Sequence, residues 1–205
     1  KLFLKNKQMK EVLINPYLLY RKIIKFSNLI FLKPFFKKYG KGTRLESCYY
    51  LTPQYIELGK NVLICKNARI EGVSEYEGIK FTPSIVLEDF VSIQQNLHLT
   101  CANKITIKKH TAIAANVTIT DVIHPYEDIL TPIENQPIRH QEVVIGEACK
   151  IYNNSVILPG VFLGKHCVVA ANSVVMKGVY PDYTILAGTP AKIISIYKDN
   201  KWNKL

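Results

Sequence analysis

The sequence lacks the features that mark several large classes of protein. Its 205 residues include one tryptophan, two methionines and five cysteines. No two cysteines stand in a CxxC spacing and their number is odd, so we expect reduced thiols in a cytosolic protein rather than a disulfide framework. A phosphate-binding loop and a dinucleotide fingerprint are also absent, which argues against the common nucleotide-binding folds.

Acidic residues are almost missing from the start of the chain. Residues 1–44 contain twelve Lys or Arg and one acid, Glu11, whereas residues 45–205 contain fifteen basic and fifteen acidic residues. The net charge of +11 is therefore concentrated in the first segment. Within it, residues 12–36 are rich in Leu, Ile, Phe and Tyr, but Lys and Arg interrupt them before any run reaches the roughly 20 apolar residues of a membrane span. A signal-peptide cleavage site is not apparent either.

The remainder of the chain is dominated by an aliphatic residue at every sixth position. A second column of small or β-branched residues follows four positions behind each aliphatic. A period of six fits neither an α-helix nor a simple strand and predicts a solenoid of short strands. The aliphatic column comprises Leu58, Ile64, Ile70, Leu87, Ile93, Leu99, Ile107, Ile113, Ile119, Ile145, Ile151, Ile157, Leu163, Val169 and Val175. The second column comprises Val62, Ala68, Val91, Leu97, Thr111, Val117, Cys149, Ser155, Val161, Cys167, Ser173 and Val179.

Three six-residue strands make one triangular coil of eighteen residues, which fixes the expected stacking. Ile145 should lie under Leu163, Cys149 under Cys167 and Ser155 under Ser173, at the usual strand spacing of about 4.8 Å. Both columns then fill the interior of a narrow prism. Cys149 and Cys167 are accordingly expected to fill the core and not to act as nucleophiles.

The phase of the repeat divides the chain into three parts. We expect a basic amphipathic helical segment at residues 1–44, a β-solenoid domain at 45–194 and a C-terminal tail at 195–205. Inside the domain the repeat stops at Ile119 and restarts near Val143, which leaves a protruding loop at residues 120–142. A loop of this length in a compact solenoid is more often functional than not.

Three stretches occur in a characteristic order: VTITDVIHPYED, then VVIGEACKIYNNSVILPGVFLGKHCVVAANSVVMKGVYPDY, then LAGTPAKII. They resemble the hexapeptide-repeat acyltransferases, and in particular the galactoside and maltose O-acetyltransferases and the sugar O-acetyltransferases of capsule and O-antigen loci. The resemblance covers residues 84–194. It implies an all-β, left-handed parallel β-helix that works as a homotrimer with acetyl-coenzyme A as co-substrate and no metal. Left-handed crossovers are rare, so the handedness rests on the resemblance.

The resemblance also assigns roles around the protruding loop. It makes His124 the catalytic base, since an ordinary imidazole is largely neutral in the cytosol and can take a proton from a sugar hydroxyl. Asn96, His98 and Asp121 are expected to contact the acceptor, with Asn96 and His98 on one alternating strand and their side chains on the same side of it. Lys150 stands where the family often has a tryptophan, and it would meet an acidic or phosphorylated acceptor.

By the same resemblance, coenzyme A lies in a groove between neighbouring coils. Backbone amides hold the pantetheine arm, lysines offset the charge of the phosphates and a glycine turn closes the groove. The residues concerned are Asn153, Ala171, Asn172 and Ser173 for the amides, Lys177 and Lys192 for the cations, and Gly188 for the turn.

The expected function is transfer of an acetyl group to a sugar hydroxyl in surface polysaccharide biosynthesis. The alternatives are N-acetylation of a nucleotide-linked amino sugar, acetylation of an antibiotic, and a trimeric scaffold without activity. A zinc hydratase of similar fold is set aside because no two of the five histidines lie five positions apart. We expect a cytoplasmic protein that binds no nucleic acid. Its N-terminal segment either covers the open end of the solenoid or contacts the inner face of the membrane.

Overall fold

The computed structural model describes residues 15–205, so the first part of the predicted N-terminal segment, residues 1–14, lies outside the described residues. Helix α1 (Pro16–Phe31) comes first, and a 3₁₀ turn (Lys33–Phe35) follows it. Two further 3₁₀ turns span Pro53–Tyr55 and Ile133–Asn135. Within the described residues, no helix is long and apolar enough to cross a membrane.

The solenoid consists of three parallel sheets that the chain visits in rotation. The first sheet contains β1 (Lys38–Tyr39), β4 (Ile56–Leu58), β9 (Ser84–Leu87), β12 (Lys104–Ile107), β17 (Val143–Ile145), β20 (Val161–Leu163) and β23 (Gly178–Tyr180). The second contains β2 (Arg44–Leu45), β5 (Leu63–Ile64), β10 (Ser92–Ile93), β13 (Ala112–Ile113), β18 (Lys150–Ile151), β21 (Val168–Val169) and β24 (Thr184–Gly188), followed by the antiparallel β25 (Ala191–Lys198) and β26 (Lys201–Lys204). The third contains β3 (Tyr50–Leu51), β6 (Arg69–Gly72), β11 (His98–Cys101), β14 (Thr118–Thr120), β19 (Val156–Ile157) and β22 (Val174–Val175).

The register of these sheets confirms the predicted stacking. Ile145 lies opposite Leu163, and Val156 lies opposite Val174 one coil later, which aligns Ser155 with Ser173. Residues of the aliphatic column are buried from Leu58 to Val175. Because equivalent residues stack on one another, each coil buries the apolar surface of the coil before it.

One member of the second column was predicted wrongly. Val179 is 82% exposed, because it pairs with the outward-facing Phe162 while Gly178 pairs with Val161. The last coil is therefore one residue shorter than the repeat predicts, and a shift of one residue moves a side chain to the other face of a strand. Tyr180 packs against the core instead, and its hydroxyl donates to the carbonyl of Met176 at 2.9 Å.

A ladder of asparagine side chains lines the corner between the second and third sheets. Asn96 donates to Asn116 at 2.8 Å, Asn116 to Asn154 at 3.1 Å, and Asn154 to Asn172 at 3.0 Å. All four residues have φ near +60°, a left-handed conformation that asparagine tolerates better than most residues. The corner thus repeats from coil to coil with the same backbone and the same side-chain contact.

The boundaries of the solenoid differ from those predicted. Its first strand begins at Lys38 and not at residue 45, and the predicted tail is mostly part of the second sheet, because β25 pairs with β24 and β26 pairs with β25. Helix α1 lies against β2, at the coil where the solenoid begins. Phe36, just after the helix, is buried in the core.

Two hairpins leave the solenoid at the corner between the third and first sheets. The first hairpin, β7 (Glu75–Tyr76) and β8 (Ile79–Lys80), follows β6, and the loop hairpin, β15 (Val122–Ile123) and β16 (Arg139–His140), follows β14. The loop hairpin forms the base of the predicted protruding loop. Both excursions therefore project from the same edge of the prism.

Candidate functional site

The protruding loop is anchored by Asp121, the residue directly after β14. The Asp121 carboxylate accepts hydrogen bonds from the backbone amides of Ala102 at 2.7 Å, Asn103 at 2.8 Å and Lys104 at 2.8 Å, and from the thiol of Cys101 at 3.3 Å. The residue is fully buried. The expected contact between Asp121 and an acceptor is therefore corrected, because this carboxylate instead fixes the point where the loop leaves the solenoid.

Burial and the neighbouring Asp121 carboxylate raise the pKa of the Cys101 thiol, in that order of importance. Cys101 is therefore a protonated donor to Asp121 and no nucleophile. Cys149 is buried as well, and a hydrogen bond with Cys167 together with burial raises the pKa of its thiol. The expectation that Cys149 and Cys167 fill the core is confirmed by their burial.

The loop itself is held by hydrogen bonds within its own residues. The side-chain amide of Gln136 is buried and donates to the carbonyls of Asp128 and Thr131, both at 2.8 Å. The Asp128 carboxylate accepts from the backbone amide of Leu130 at 2.9 Å. A hydrogen bond with Thr131, followed by that with Leu130, lowers the pKa of Asp128. This loop is thus a folded unit and can hold a catalytic side chain in one place.

His124 follows the first strand of the loop hairpin and is exposed. Its ring lies against Tyr76 of the first hairpin, with ring centroids 5.5 Å apart and planes at 82°. The Tyr76 hydroxyl donates to the carbonyl of Glu134 at 2.6 Å. The sequence analysis missed Tyr76, because a short segment between two strands carries no signal for a contact with a residue almost fifty positions later.

Three of the predicted acceptor residues, Asn96, His98 and Lys150, lie on elements other than the loop that carries His124. Asn96 and His98 were expected on one strand. Asn96 instead lies in the corner between the second and third sheets, before β11 begins at His98. His98 is exposed at the first residue of β11 and pairs with Thr118 at the start of β14, whereas the loop leaves after the last residue of β14. Lys150 lies on the second sheet, with its ammonium 5.3 Å from the centre of the Tyr152 ring. The structure does not bring these side chains together with His124.

His98 lies in a polar row on the outer face of the third sheet. Its register neighbours are Arg69 on β6 and Thr118 on β14. Partial burial, and then the positive charge of Arg69, lower the pKa of His98, while Glu71 opposes them. Arg69 forms an ion pair with Glu71 and lies over the ring of Tyr50, 5.7 Å from its centre. A neutral His98 can donate and accept hydrogen bonds on this face.

The predicted donor residues are brought together in part. The backbone amide of Asn172 donates to the carbonyl of Asn153 at 3.0 Å, and the buried Ser173 hydroxyl accepts from the amide of Gly188 at 3.1 Å. The hydroxyl of Thr189 donates to the carbonyl of Asn172 at 3.2 Å. The turn at Gly188 thus closes over the end of the asparagine ladder. We call this region, together with the exposed Ala171, the donor corner.

The two predicted phosphate-binding lysines lie in different places. Lys192 is exposed and pairs with Ala187 on β24, just past the turn at Gly188, so it belongs to the donor corner. Lys177 lies beside Gly160, at the corner from which the protruding loop projects. Lys177 is thus separated from the donor corner of its own protomer.

Comparison with known proteins supports a single family. The model named bacterial transferase hexapeptide (six repeats) matches residues 142–177. WbbJ of Escherichia coli (strain K12), which is named as an O-acetyl transferase of lipopolysaccharide biosynthesis, is 31% identical over 166 residues that cover 77% of this chain and 81% of WbbJ.

Solved structures show the same fold. A hexapeptide-repeat-containing acetyltransferase of Vibrio cholerae, VCA0836, superposes with a TM-score of 0.58 at 25% identity, over 85% of this chain and 82% of that one. A variant of AntD, an N-acyltransferase of Bacillus cereus in complex with dTDP and coenzyme A, has a TM-score of 0.63 at 18% identity and covers 82% and 88%. The expected all-β, left-handed parallel β-helix is confirmed.

The anchor of the loop can be tested with Asp121→Asn. An asparagine offers one acceptor oxygen and turns an amide group toward backbone donors, so we expect urea denaturation to show a loss of about 2–4 kcal/mol in the free energy of unfolding. The control is Asp182→Asn, because Asp182 is exposed and accepts one amide, that of Lys165 at 2.7 Å. Its expected loss is below about 1 kcal/mol. Equal losses in the two variants would contradict the assignment of Asp121 as the anchor.

Proposed function

We propose that this chain, which belongs to the hexapeptide-repeat acyltransferase family, transfers the acetyl group of acetyl-coenzyme A to a hydroxyl of a sugar. The observation that carries this proposal is the exposed His124 on an anchored loop, in a chain that is 31% identical to an O-acetyl transferase over most of its length. Acetyl-coenzyme A is the co-substrate.

In this reaction His124 acts as the general base. Its imidazole takes the proton of the sugar hydroxyl while the hydroxyl oxygen attacks the carbonyl carbon of the thioester. The carbon–sulfur bond then breaks, the acetyl group remains on the sugar oxygen, and the thiolate of coenzyme A leaves with the proton that His124 carried. Backbone amides at the donor corner stabilise the negative charge that develops on the carbonyl oxygen. No covalent intermediate with the protein is required.

Completion of the site by a second protomer is the second part of the proposal. His124 projects from the corner between the third and first sheets, whereas the donor corner lies between the second and third sheets. One protomer therefore presents the base and the donor groove on different edges. The loop tip also exposes Ile129 and Leu130, each at 91%, and large exposed apolar residues mark interaction surfaces. A homotrimer in which the loop of one protomer faces the donor corner of the next satisfies both observations.

The acceptor, in our proposal, belongs to surface polysaccharide and is reached at a membrane. Residues 15–44 contain eight basic residues and no acidic one. Helix α1 exposes Tyr20, Ile23 and Phe31, the last at 67%. Basic residues beside exposed aromatic and aliphatic side chains are attracted to anionic lipid and enter its interface. This segment would place the enzyme beside a lipid-linked acceptor at the inner face of the membrane.

The role of His124 can be tested by measuring thiol release from acetyl-coenzyme A with a panel of methyl glycosides as acceptors. We expect His124→Ala to lower kcat by roughly 100- to 10,000-fold, because a general base contributes that much. Binding of acetyl-coenzyme A, measured by calorimetry, should not change. The control is His166→Asn, which replaces an exposed histidine in a left-handed corner with a residue that tolerates it. Full activity of His124→Ala would contradict O-transfer and favour N-transfer.

The membrane contact can be tested by co-sedimentation with vesicles of phosphatidylcholine, with and without phosphatidylglycerol. We expect the protein to bind only the vesicles that contain phosphatidylglycerol. The double variant Ile23→Ser/Phe31→Ser should partition to them at least roughly tenfold more weakly, because it loses apolar area that enters the interface. Val179→Ser removes an exposed apolar side chain from the solenoid and is the control. Equal partition of the helix variant and the control would overturn the proposed contact.

A further inference from the structure

The first hairpin presents Tyr76 on a tight turn. Glu75 pairs with Lys80 and Tyr76 with Ile79, so the turn consists of Glu77 and Gly78 alone. Both turn residues have positive φ, +46° and +74°, as in the two-residue turns that match the twist of paired strands. The amide of Phe81 donates to the carbonyl of Ser74 at 2.8 Å and closes the base of the hairpin. The backbone that carries Tyr76 is therefore fixed from both sides.

Tyr76 contacts the protruding loop at two points. Its ring meets the imidazole of His124 almost at right angles, in the edge-to-face arrangement that aromatic pairs prefer. Its hydroxyl reaches the returning half of the loop, where it donates to the Glu134 carbonyl at 2.6 Å with the Glu134 carboxylate at 3.1 Å. One side chain thus connects the residue that bears the base with a segment ten positions later.

A second ring contact joins the same two excursions. Phe81 lies against His140 of β16, with centroids 5.9 Å apart and planes at 87°. Burial, and then the hydrogen bond to Glu134, raise the pKa of Tyr76, which keeps its phenol protonated as a donor. The first hairpin is therefore packed against the loop at both of its ends.

An exposed histidine on a loop would otherwise sample several rotamers. The proposed general base has to lie about 2.6–3.2 Å from the hydroxyl whose proton it removes. A displacement of about 1 Å can lower a rate roughly 100-fold, because the reacting atoms are no longer in contact. A contact that restricts the imidazole is therefore needed. The ring of Tyr76 provides one, because its centroid lies 5.5 Å from that of the His124 ring.

We propose that Tyr76 is a positioning residue, which orients the His124 imidazole through its ring and fixes the loop through its hydroxyl. This inference rests on the proposed role of His124 as the base. The first hairpin is then part of the active site, although it binds neither coenzyme A nor the reacting hydroxyl. Its contribution should appear in kcat and leave the affinity for acetyl-coenzyme A unchanged.

The test compares Tyr76→Phe, which keeps the ring and removes the hydroxyl, with Tyr76→Leu, which removes both. With methyl glycosides as acceptors, we expect Tyr76→Leu to lower kcat by roughly 10- to 100-fold at unchanged KM for acetyl-coenzyme A. Tyr76→Phe should keep most of the wild-type kcat, because it retains the ring. The control is Tyr49→Leu, because Tyr49 is 81% exposed and lies outside both excursions. Wild-type kcat in Tyr76→Leu, or an equal loss in Tyr76→Phe and Tyr76→Leu, would overturn the role of the ring.

A second measurement is independent of catalysis. In intact protein with isotope-labelled histidine, the His124 resonance should carry a ring-current shift that Tyr76→Phe retains and Tyr76→Leu removes. No change of this resonance in Tyr76→Leu would refute the inference. If His124→Ala is fully active while Tyr76→Leu still moves the His124 resonance, the ring contact is upheld and the proposed base is wrong. The two proposals can therefore fail separately.

Discussion

The stacking of equivalent residues from one coil to the next is the constraint on which the rest of the structure depends. Parallel strands about 4.8 Å apart place each inward side chain on its counterpart in the neighbouring coil. Ile145 on Leu163 and Ile157 on Val175 are examples. Because the side chains are stacked in this way, the corners are stacked too, and the asparagine ladder follows the corner between the second and third sheets.

A regular stack leaves few places where a chain can add a functional segment, and this protein uses one edge for both of its excursions. Asp121 makes the larger one possible, because its carboxylate accepts three backbone amides where the coil would otherwise leave them without partners. The cost of burying a charge is offset by hydrogen bonds of this kind. The proposed base and its proposed positioning residue are brought into contact by the packing of two hairpins on the same edge.

Much of the fold could be predicted from the sequence, because the repeat of six is a direct consequence of which side chains point inward. The columns were correct from Leu58 to Val175. The repeat could not reveal the shorter last coil, because the sequence still has a valine at the predicted position 179, although Val161 pairs with Gly178. The repeat also predicts that the solenoid starts at residue 45, whereas its first strand starts at Lys38. The first coil was missed because it carries charged and aromatic residues on its outer face.

The site was less predictable than the fold. The candidate His124 is marked by its flanking residues, but the contact of Tyr76 with it and the burial of Asp121 depend on contacts between distant segments, for which one sequence contains no periodic signal. Asn96 and His98 were expected on one strand, whereas the left-handed corner at Asn96 separates them. Residues assigned from a resemblance thus lie at two different corners of one protomer, which is the reason for our proposal that a working site is assembled from more than one copy.

The most direct test of this shared site is co-expression of two inactive variants. His124→Ala removes the base and leaves the donor corner intact, whereas Ala171→Trp fills the donor corner with an exposed bulky side chain and leaves the base intact. If the two variants are expressed equally and assemble at random, about three quarters of the trimers are mixed, and one of the three sites in each mixed trimer combines an intact loop with an intact groove, which is about a quarter of all sites. We therefore predict that co-expression recovers about a quarter of wild-type activity. Activity that stays at the level of the separate variants would contradict the account.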